Sequence, residues 1–152
     1  MKSAERRPLL PPRWIIRAAW AIHRAIYRWS GGHRGLRKPS ANQYGLMRLH
    51  SIGRRTNTER IAMLAYFEDG PNLVTMAMNG WGEPEPAWWL NLKARPDVAV
   101  DLVDGQRAVR ARAAEGDDRE RLWARWRGFD AKLDAYAAGR PGETAVVVLE
   151  PA

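Results

Sequence analysis

A short helix bounded by two prolines most limits what this chain can fold into. The segment GWGEPEPAWWLNLKARP, residues 80–96, opens with a Gly-Trp-Gly turn and places apolar residues between Pro86 and Pro96. Pro86 suits the first helical position, where a missing N–H costs nothing. Pro96 cannot continue a helix, and it moves the preceding Arg95 away from helical geometry. The segment therefore predicts one short helix with a sharp end.

The same helix carries a cluster of tryptophans. Trp88 and Leu92 are four residues apart and share one face, with Trp89 and Lys93 beside them. Two interpretations follow from this pattern. The segment is either a core helix between two strands or one wall of a flat aromatic pocket, to which Asn91 supplies polar contacts.

Six short runs of strand-forming residues surround this helix. They are residues 44–51, 61–68, 73–78, 98–103, 106–113 and 145–149. Asp69-Gly70-Pro71 predicts a turn, and Asp104-Gly105 is a strong hairpin signal. The last run is apolar on both faces, as expected of a strand that closes a barrel. Short strands joined by hairpins favour a small antiparallel barrel over a parallel sheet.

A second helix is predicted before the last strand. Asp117 could cap it, with Glu120 three positions on as in a capping box. Its buried side would consist of Leu122, Trp123 and Trp126. Gly128 should break or bend this helix, and residues 132–138 should add a further turn or two. We thus expect an α+β chain, mainly antiparallel β, with one folded domain over residues 44–152.

The charge balance favours an anionic partner. The chain has 25 Lys and Arg against 17 Asp and Glu, a formal net charge of +8, and no cysteine. Nucleic acid, an acidic membrane face or a polyanionic small molecule would each suit this balance. Nucleic acid is disfavoured because the tryptophans fall largely in apolar helix patterns. No metal site is expected, since His23, His33 and His50 match no ligand spacing, and Ser51 lacks the glycines of a nucleophile elbow.

The first thirty residues are basic and divide into two parts. Residues 1–12 are rich in Arg and Pro, and we expect them to be mobile. Residues 13–30 predict an amphipathic helix, too short and too charged to span a bilayer or to act as a secretory signal. Three roles remain open for it: packing on the domain, covering a pocket, or lying on a membrane surface.

A cluster of cations lies around the turn between the first two strands. Arg54, Arg55 and Arg60 flank the hydroxyls of Thr56 and Thr58. Guanidinium forks there could hold phosphate or carboxylate oxygens bidentately. The alternative is a solvated hairpin tip without a ligand.

Three segments carry a resemblance to a known family. They are IGRRTNTER (52–60), EPAWWLNLKARPDVAVDL (85–102) and TAVVVLEP (144–151). With them the chain resembles the deazaflavin (F420)-dependent nitroreductase family of actinobacteria, most specifically over residues 86–100. The resemblance implies a six-stranded split β-barrel with an N-terminal helix and inserted helices. It also implies reduced coenzyme F420 as hydride donor, with FMN less favoured.

The resemblance also assigns cofactor-binding residues. The family motif for the phosphate and oligoglutamate tail falls on Gly53, Arg54, Arg55, Thr56 and Arg60, with Asn57 where glycine is usual. Asparagine tolerates left-handed backbone geometry, so we expect the turn to survive. By the same resemblance the deazaflavin ring lies along Met76, Ala77, Met78 and Asn79, and Ala87, Trp88 and Asn91 flank it.

The substrate side departs from the family pattern. Of the tyrosines expected before the last strand only Tyr136 remains, while Asp130, Leu133 and Ala65 occupy other aromatic positions. Fewer phenols suggest a hydrophobic acceptor, such as a quinone or a conjugated enone or enoate. Leu133, Tyr136 and Trp81 would line its pocket. Tyr136 is the candidate proton donor, with water as the alternative.

The remaining expectations concern the oligomeric state, the cellular location and the competing functions. We expect a monomer or homodimer in the cytoplasm, with possible peripheral contact of residues 13–30 with the inner face of the cell membrane. A flavin- or haem-binding split barrel and a non-catalytic basic binding module are the competing interpretations.

Overall fold

The computed structural model describes residues 35–78, 85–140 and 142–152. Within them the strands are β1 (Gly45–Ile52), β2 (Glu59–Asp69), β3 (Asn72–Met76), β4 (Asp97–Leu102), β5 (Gly105–Ala113) and β6 (Val146–Pro151). The helices are α1 (Ala87–Ala94), α2 (Gly116–Phe129) and α3 (Leu133–Ala138). The expectations for residues 1–12 and 13–30, and for Asn79 and Trp81, lie outside the described residues.

The six strands close into an antiparallel barrel in the order β1-β2-β3-β6-β5-β4. The last strand, β6, pairs with β3 through Val74↔Val148 and with β5 through Ala111↔Leu149. Its residues Val146–Leu149 are buried on both faces, as the sequence predicted for a closing strand. The expected six-stranded barrel is confirmed.

Alternation along the strands separates two apolar cores. On β3, Leu73 belongs to the core inside the barrel, whereas Val74 and Met76 belong to a second core outside it. The outer core is completed by Leu122, Trp126 and Leu133 of α2 and α3. The two helices therefore cover one flank of the barrel.

The strand pairing gathers several connections at one end of the barrel. Because all pairs are antiparallel, the carboxyl ends of β1, β3 and β5 meet the amino ends of β2, β4 and β6 there. The turn 53–58, helix α1 and the connection from α3 to β6 all join strands at this end, which we call the α1 end. The hairpin turns after β2 and β4 lie at the opposite end.

Helix α1 ends as predicted but begins one residue late. Pro86 is the cap, with φ −60° and ψ 139°, and its carbonyl accepts the N–H groups of Trp89 and Leu90. Pro86 is therefore not the first helical residue, because its extended ψ precedes the first turn. Arg95 is extended, with φ −140° and ψ 94°, in agreement with the effect expected of Pro96.

Two expectations for helix α2 are wrong. The cap is Glu115 rather than Asp117, and no side chain makes a capping hydrogen bond. Gly116 takes a left-handed φ of 56° and starts the helix early, which places Asp117 inside the first turn. The helix also continues through Gly128 to Phe129, because Trp126 and Phe129 hold its last turn against Tyr44.

Strand β3 is shorter than predicted. It ends at Met76, because the Met78 N–H donates to the Met76 carbonyl at 2.9 Å and turns the chain out of the sheet. The Ala77 N–H still donates to the Ala145 carbonyl at 2.9 Å, so the strand end stays attached to the start of β6.

Candidate functional site

Residues 53–58 form a closed turn at the α1 end. The Gly53 N–H donates to the Thr58 carbonyl and the Asn57 N–H donates to the Gly53 carbonyl, both at 2.8 Å. Asn57 has a positive φ of 57°, the left-handed geometry expected at this position. The substitution of glycine by asparagine is thus accommodated without loss of the turn.

The cations on and beside this turn are exposed, and no described acidic residue neutralises them. Arg54, Arg55 and Arg60 are all exposed, and none takes part in an ion pair among the described residues. The backbone N–H groups of Arg55 and Thr56 also have no acceptor in the described part of the chain. Free amides beside guanidinium groups that make no ion pair among the described residues form a suitable site for phosphate or carboxylate oxygens.

Asn91 connects this turn to helix α1. Its Oδ1 accepts the Arg54 backbone N–H at 3.1 Å and the Arg54 Nη1 at 3.3 Å. Its Nδ2 donates to Ser51 Oγ at 3.4 Å, and Ser51 Oγ in turn donates to the Arg60 carbonyl at 3.4 Å. Asn91 is only 3% exposed, so its amide serves the protein rather than solvent. Ser51, for which the sequence suggested no chemical role, is part of this connection.

Helix α1 closes the barrel at this end. Trp88, Trp89 and Leu92 are buried and belong to the interior core. Lys93 pairs with Glu85 at 3.2 Å and lies 5.7 Å from the centre of the Trp89 ring. The interpretation as a core helix is therefore correct for the tryptophans, whereas Ala87 at the helix start is exposed.

The strand end at Met76–Met78 has buried side chains and a largely paired backbone, in which the Ala77 carbonyl accepts from Arg140 Nη1. The Met76 side chain lies in the outer core and Ala77 lies in the inner core, each 1% exposed. Met78 is partly buried against the outer core. Because these side chains are buried, a ring placed against this segment would meet mainly its backbone, and the placement of the ring stays a prediction.

Arg140 is a residue of this region that the sequence did not single out. Its Nη1 donates to the Ala77 carbonyl at 2.9 Å and to Thr144 Oγ1 at 2.7 Å. Its Nε is buried without a partner among the described residues. A single arginine in the loop sequence AGRPGET has no periodicity, so no local signal pointed to it.

The residues predicted on the substrate side of the site differ in how far their side chains are exposed to solvent. Leu133 is 0% exposed within the outer core, to which Ala65 also belongs. Tyr136 is partly buried on α3, three residues beyond Leu133. Asp130 is the cap at the end of α2. The structure therefore brings Ala65 and Leu133 into one apolar cluster, but Leu133 does not face open space.

A polar and charged cluster joins β1, β2, β4 and β5, and its member Glu59 directly follows the turn. His50 Nδ1 lies 3.0 Å from Glu59 Oε1, and His50 Nε2 lies 2.8 Å from Asp101 Oδ2. Arg48 Nε and Gln106 Nε2 donate to Asp101 as well. Burial alone would raise the pKa of Asp101, but the hydrogen bonds from His50, Arg48 and Gln106 outweigh it and hold this pKa below its usual value. The cluster ties β4 to the strand that leaves the turn.

None of the helices in the described ranges is long and apolar enough to span a membrane. Solved structures similar to this chain include an F420H2-dependent reductase, with a TM-score of 0.62 and 24% identity, over 69% of this chain and 93% of the other. The haem storage protein HutZ of Vibrio cholerae has a TM-score of 0.54 and 10% identity, over 70% of this chain and 81% of the other. At these identities the likeness concerns the fold alone.

Sequence comparison gives the family. A relative from Mycobacterium tuberculosis, named an F420H2-dependent quinone reductase, is 34% identical over 73% of this chain and 77% of its own length. A second protein of that organism, named for the same activity, is 30% identical over 77% of this chain and 95% of its own length. The model of the F420H2-dependent quinone reductases matches residues 20–151. The chain belongs to this family of deazaflavin-dependent oxidoreductases, whose cofactor is coenzyme F420.

Proposed function

We propose that this protein transfers a hydride from reduced F420 to a quinone, and that conjugated enones or enoates are further acceptors. The observation that carries the proposal is the group of arginines on and beside the turn 53–58, which make no ion pair with any described residue and which Asn91 joins to helix α1. A cofactor with an acidic tail and an aromatic ring needs a binding region for each part, and the two regions must be close together. In this protein the turn 53–58, helix α1 and the Met76–Met78 strand end all lie at the α1 end of the barrel.

The acidic tail would bind to the turn. Arg54, Arg55 and Arg60 would contact phosphate and carboxylate oxygens, and the Thr56 hydroxyl would add a neutral hydrogen bond. Two features of the turn support this assignment. The arginines are exposed without acidic partners among the described residues, and the Arg55 and Thr56 amides are free there.

The ring would lie along Met76, Ala77, Met78 and Asn79, with Ala87, Trp88 and Asn91 at its side. The exposed Ala87 and the backbone of the strand end support this placement, since both are at the α1 end. When bound, the reduced ring supplies the hydride, and the chain supplies position and electrostatics. Asn91 would act indirectly, because its amide is already used to hold Arg54 and Ser51.

The acceptor would bind on the side of α3. Trp81, Leu133 and Tyr136 would line its pocket, and Tyr136 would donate the proton that completes reduction, with water as the alternative donor. The relatives named quinone reductases support a quinone as the first acceptor to test. Because Leu133 is buried in the outer core, its part would be to shape the apolar wall from behind.

Residues 13–30 would bring the enzyme to its lipophilic substrate by contact with acidic membranes. Their alternating arginine and apolar positions support this proposal. Co-sedimentation with vesicles of acidic lipid, against neutral vesicles as control, tests it. Equal recovery in the supernatant with both vesicle types would contradict it.

The decisive experiment is a fluorescence titration of the protein with oxidised F420, with FMN as control, followed by turnover of F420H2 with menadione and with cyclohexenone. We expect saturable binding of F420 but not of FMN, and faster oxidation of F420H2 with menadione than with cyclohexenone. Tight FMN binding or a haem spectrum in the purified protein would contradict the proposal. If F420 binds but the quinone is not reduced, the assignment of the cofactor stands and the assignment of a quinone as acceptor is wrong.

A further inference from the structure

Arg140 carries a positive charge that the described residues leave unneutralised. It lies between α3 and β6, at the α1 end. Its Nη1 donates to two neutral acceptors, the Ala77 carbonyl and Thr144 Oγ1. Arg140 takes part in no ion pair with another residue that the structure describes. Among the described residues the guanidinium group is thus held by neutral acceptors and by no carboxylate.

The buried part of this side chain is incompletely satisfied. Arg140 Nε has no hydrogen-bond partner in the described structure, although the atom is shielded from solvent. Leaving a buried donor of a charged group unpaired is unfavourable for folding. An arginine with this cost lies at the strand end assigned to the cofactor ring, and a negatively charged ligand there would offset the cost.

Arg119 provides an internal comparison. Its Nη1 donates to the Thr144 carbonyl at 2.7 Å, so it anchors the same loop. Its Nε, however, pairs with Glu143 Oε1 at 2.8 Å, which neutralises its charge. Both arginines therefore hold the loop that contains Thr144, but among the described residues only Arg119 has a carboxylate partner.

We propose that Arg140 supplies the positive charge beside the Met76–Met78 strand end that makes the site prefer reduced over oxidised deazaflavin. This inference rests on the proposed function. Reduced F420 would carry a negative charge on its ring when that ring has lost its proton to solvent. A fixed cation close to such a ring stabilises the anion, and a site shielded from water strengthens the effect. Through Ala77, Arg140 would also fix the backbone on which the ring lies.

The test compares the dissociation constants of oxidised and reduced F420, measured without oxygen, for the parent protein and for Arg140→Gln, Arg140→Lys and Arg119→Gln. In Arg140→Gln we expect the preference for the reduced form to fall about tenfold or more. Arg140→Lys should restore most of it, because the charge returns. Arg119→Gln should leave the ratio nearly unchanged, because the Glu143 carboxylate that it leaves unpaired is 74% exposed and is screened by solvent. Thermal unfolding of each variant shows whether it is folded.

A second measurement needs no variant. The preference of the parent protein for reduced F420 should grow as the pH rises and the free reduced ring loses its proton. An unchanged ratio in Arg140→Gln, an equal change in Arg119→Gln, or a preference independent of pH would each overturn the inference. If the parent protein binds neither form, the proposed function has failed instead.

Discussion

The Asn91 side-chain oxygen accepts both the backbone N–H and the Nη1 of Arg54, at 3.1 and 3.3 Å. These two bonds cross from helix α1 to the turn 53–58. Because the acceptor is a neutral amide, Arg54 is oriented while its charge is kept. A carboxylate at the same place would orient the guanidinium equally well and cancel the charge that an acidic ligand needs.

Asn91→Asp should therefore weaken F420 binding while keeping the fold. We expect about a tenfold or greater rise in the dissociation constant, because the new carboxylate pairs with Arg54 in competition with the cofactor tail. Fluorescence titration measures the affinity, and thermal unfolding measures the fold.

Asn91→Ala is the matched control. It removes the same hydrogen bonds but leaves the Arg54 charge available, and it should cost about 1–3 kcal/mol of stability through unpaired buried groups. The expected order of F420 affinity is parent, Asn91→Ala, Asn91→Asp. Parent-like binding by Asn91→Asp would show that the neutrality of this residue is irrelevant.

Removing the arginines themselves should have a larger effect. Arg54→Ala combined with Arg55→Ala should weaken F420 binding by about a hundredfold or more, because each lost charge-assisted hydrogen bond contributes about 1.5–3 kcal/mol. Binding by the parent protein should weaken as salt is added, and the double variant should lose most of this dependence. Arg110→Ala, which breaks an exposed pair with Asp97, is the control for net charge and should bind normally.

Gly53 should tolerate no side chain. A Cβ at this position would lie 2.5 Å from Thr56 Oγ1, within the turn that holds the arginines. Gly53→Ala should therefore displace the turn and lower F420 affinity several-fold. Gly128→Ala is the control: an added Cβ meets nothing within 4 Å on helix α2, and alanine should stabilise that helix by about 0.5–1 kcal/mol. Equal F420 affinity in Gly53→Ala and the parent would contradict this account of the turn.

The strands could be predicted from the sequence because their signals are local. Alternating apolar residues and the Asp104-Gly105 turn gave six strands close to their observed bounds, and the apolar run before Pro151 gave the closing strand. The helix starts were wrong because they depend on backbone angles, such as the left-handed φ of Gly116, which glycine permits but does not require.

The contacts within the candidate site could not be predicted in the same way. Arg140 binds the Ala77 carbonyl, 63 residues away in the chain, and a carbonyl has no signature in a sequence. The Asn91 amide was expected beside the ring, and its described partners are Arg54 in the turn and Ser51 on β1. Motif resemblance indicates which residues belong to a site, whereas the bonds between them depend on the folded backbone.

Asp101 should make the barrel sensitive to acid. Its folded-state pKa lies below the unfolded value, so the stability that it contributes is present above the unfolded pKa of about 3.9 and is lost as the pH falls through the folded pKa. Asp101→Asn should lower the free energy of unfolding by about 1–3 kcal/mol at pH 7, and the difference from the parent should shrink below pH 4. Urea unfolding at pH 7 and pH 3.5 measures both values. A difference that is constant with pH would show that the charge of Asp101 plays no part.

Tyr136→Phe separates proton donation from cofactor binding. Tyr136 lies on α3 and is not part of the turn that would bind the acidic tail, so F420 affinity should remain within about twofold of the parent. Turnover with menadione should fall by about tenfold or more, because a positioned acid commonly contributes 10²–10⁴-fold and water would replace it only in part. The loss should be larger for cyclohexenone, whose enolate requires protonation at carbon, than for a quinone, whose reduced oxygen is readily protonated by water. Steady-state rates with both acceptors, together with the F420 dissociation constant, measure these effects. Unchanged turnover with both acceptors would remove Tyr136 as the acid and leave water in that role.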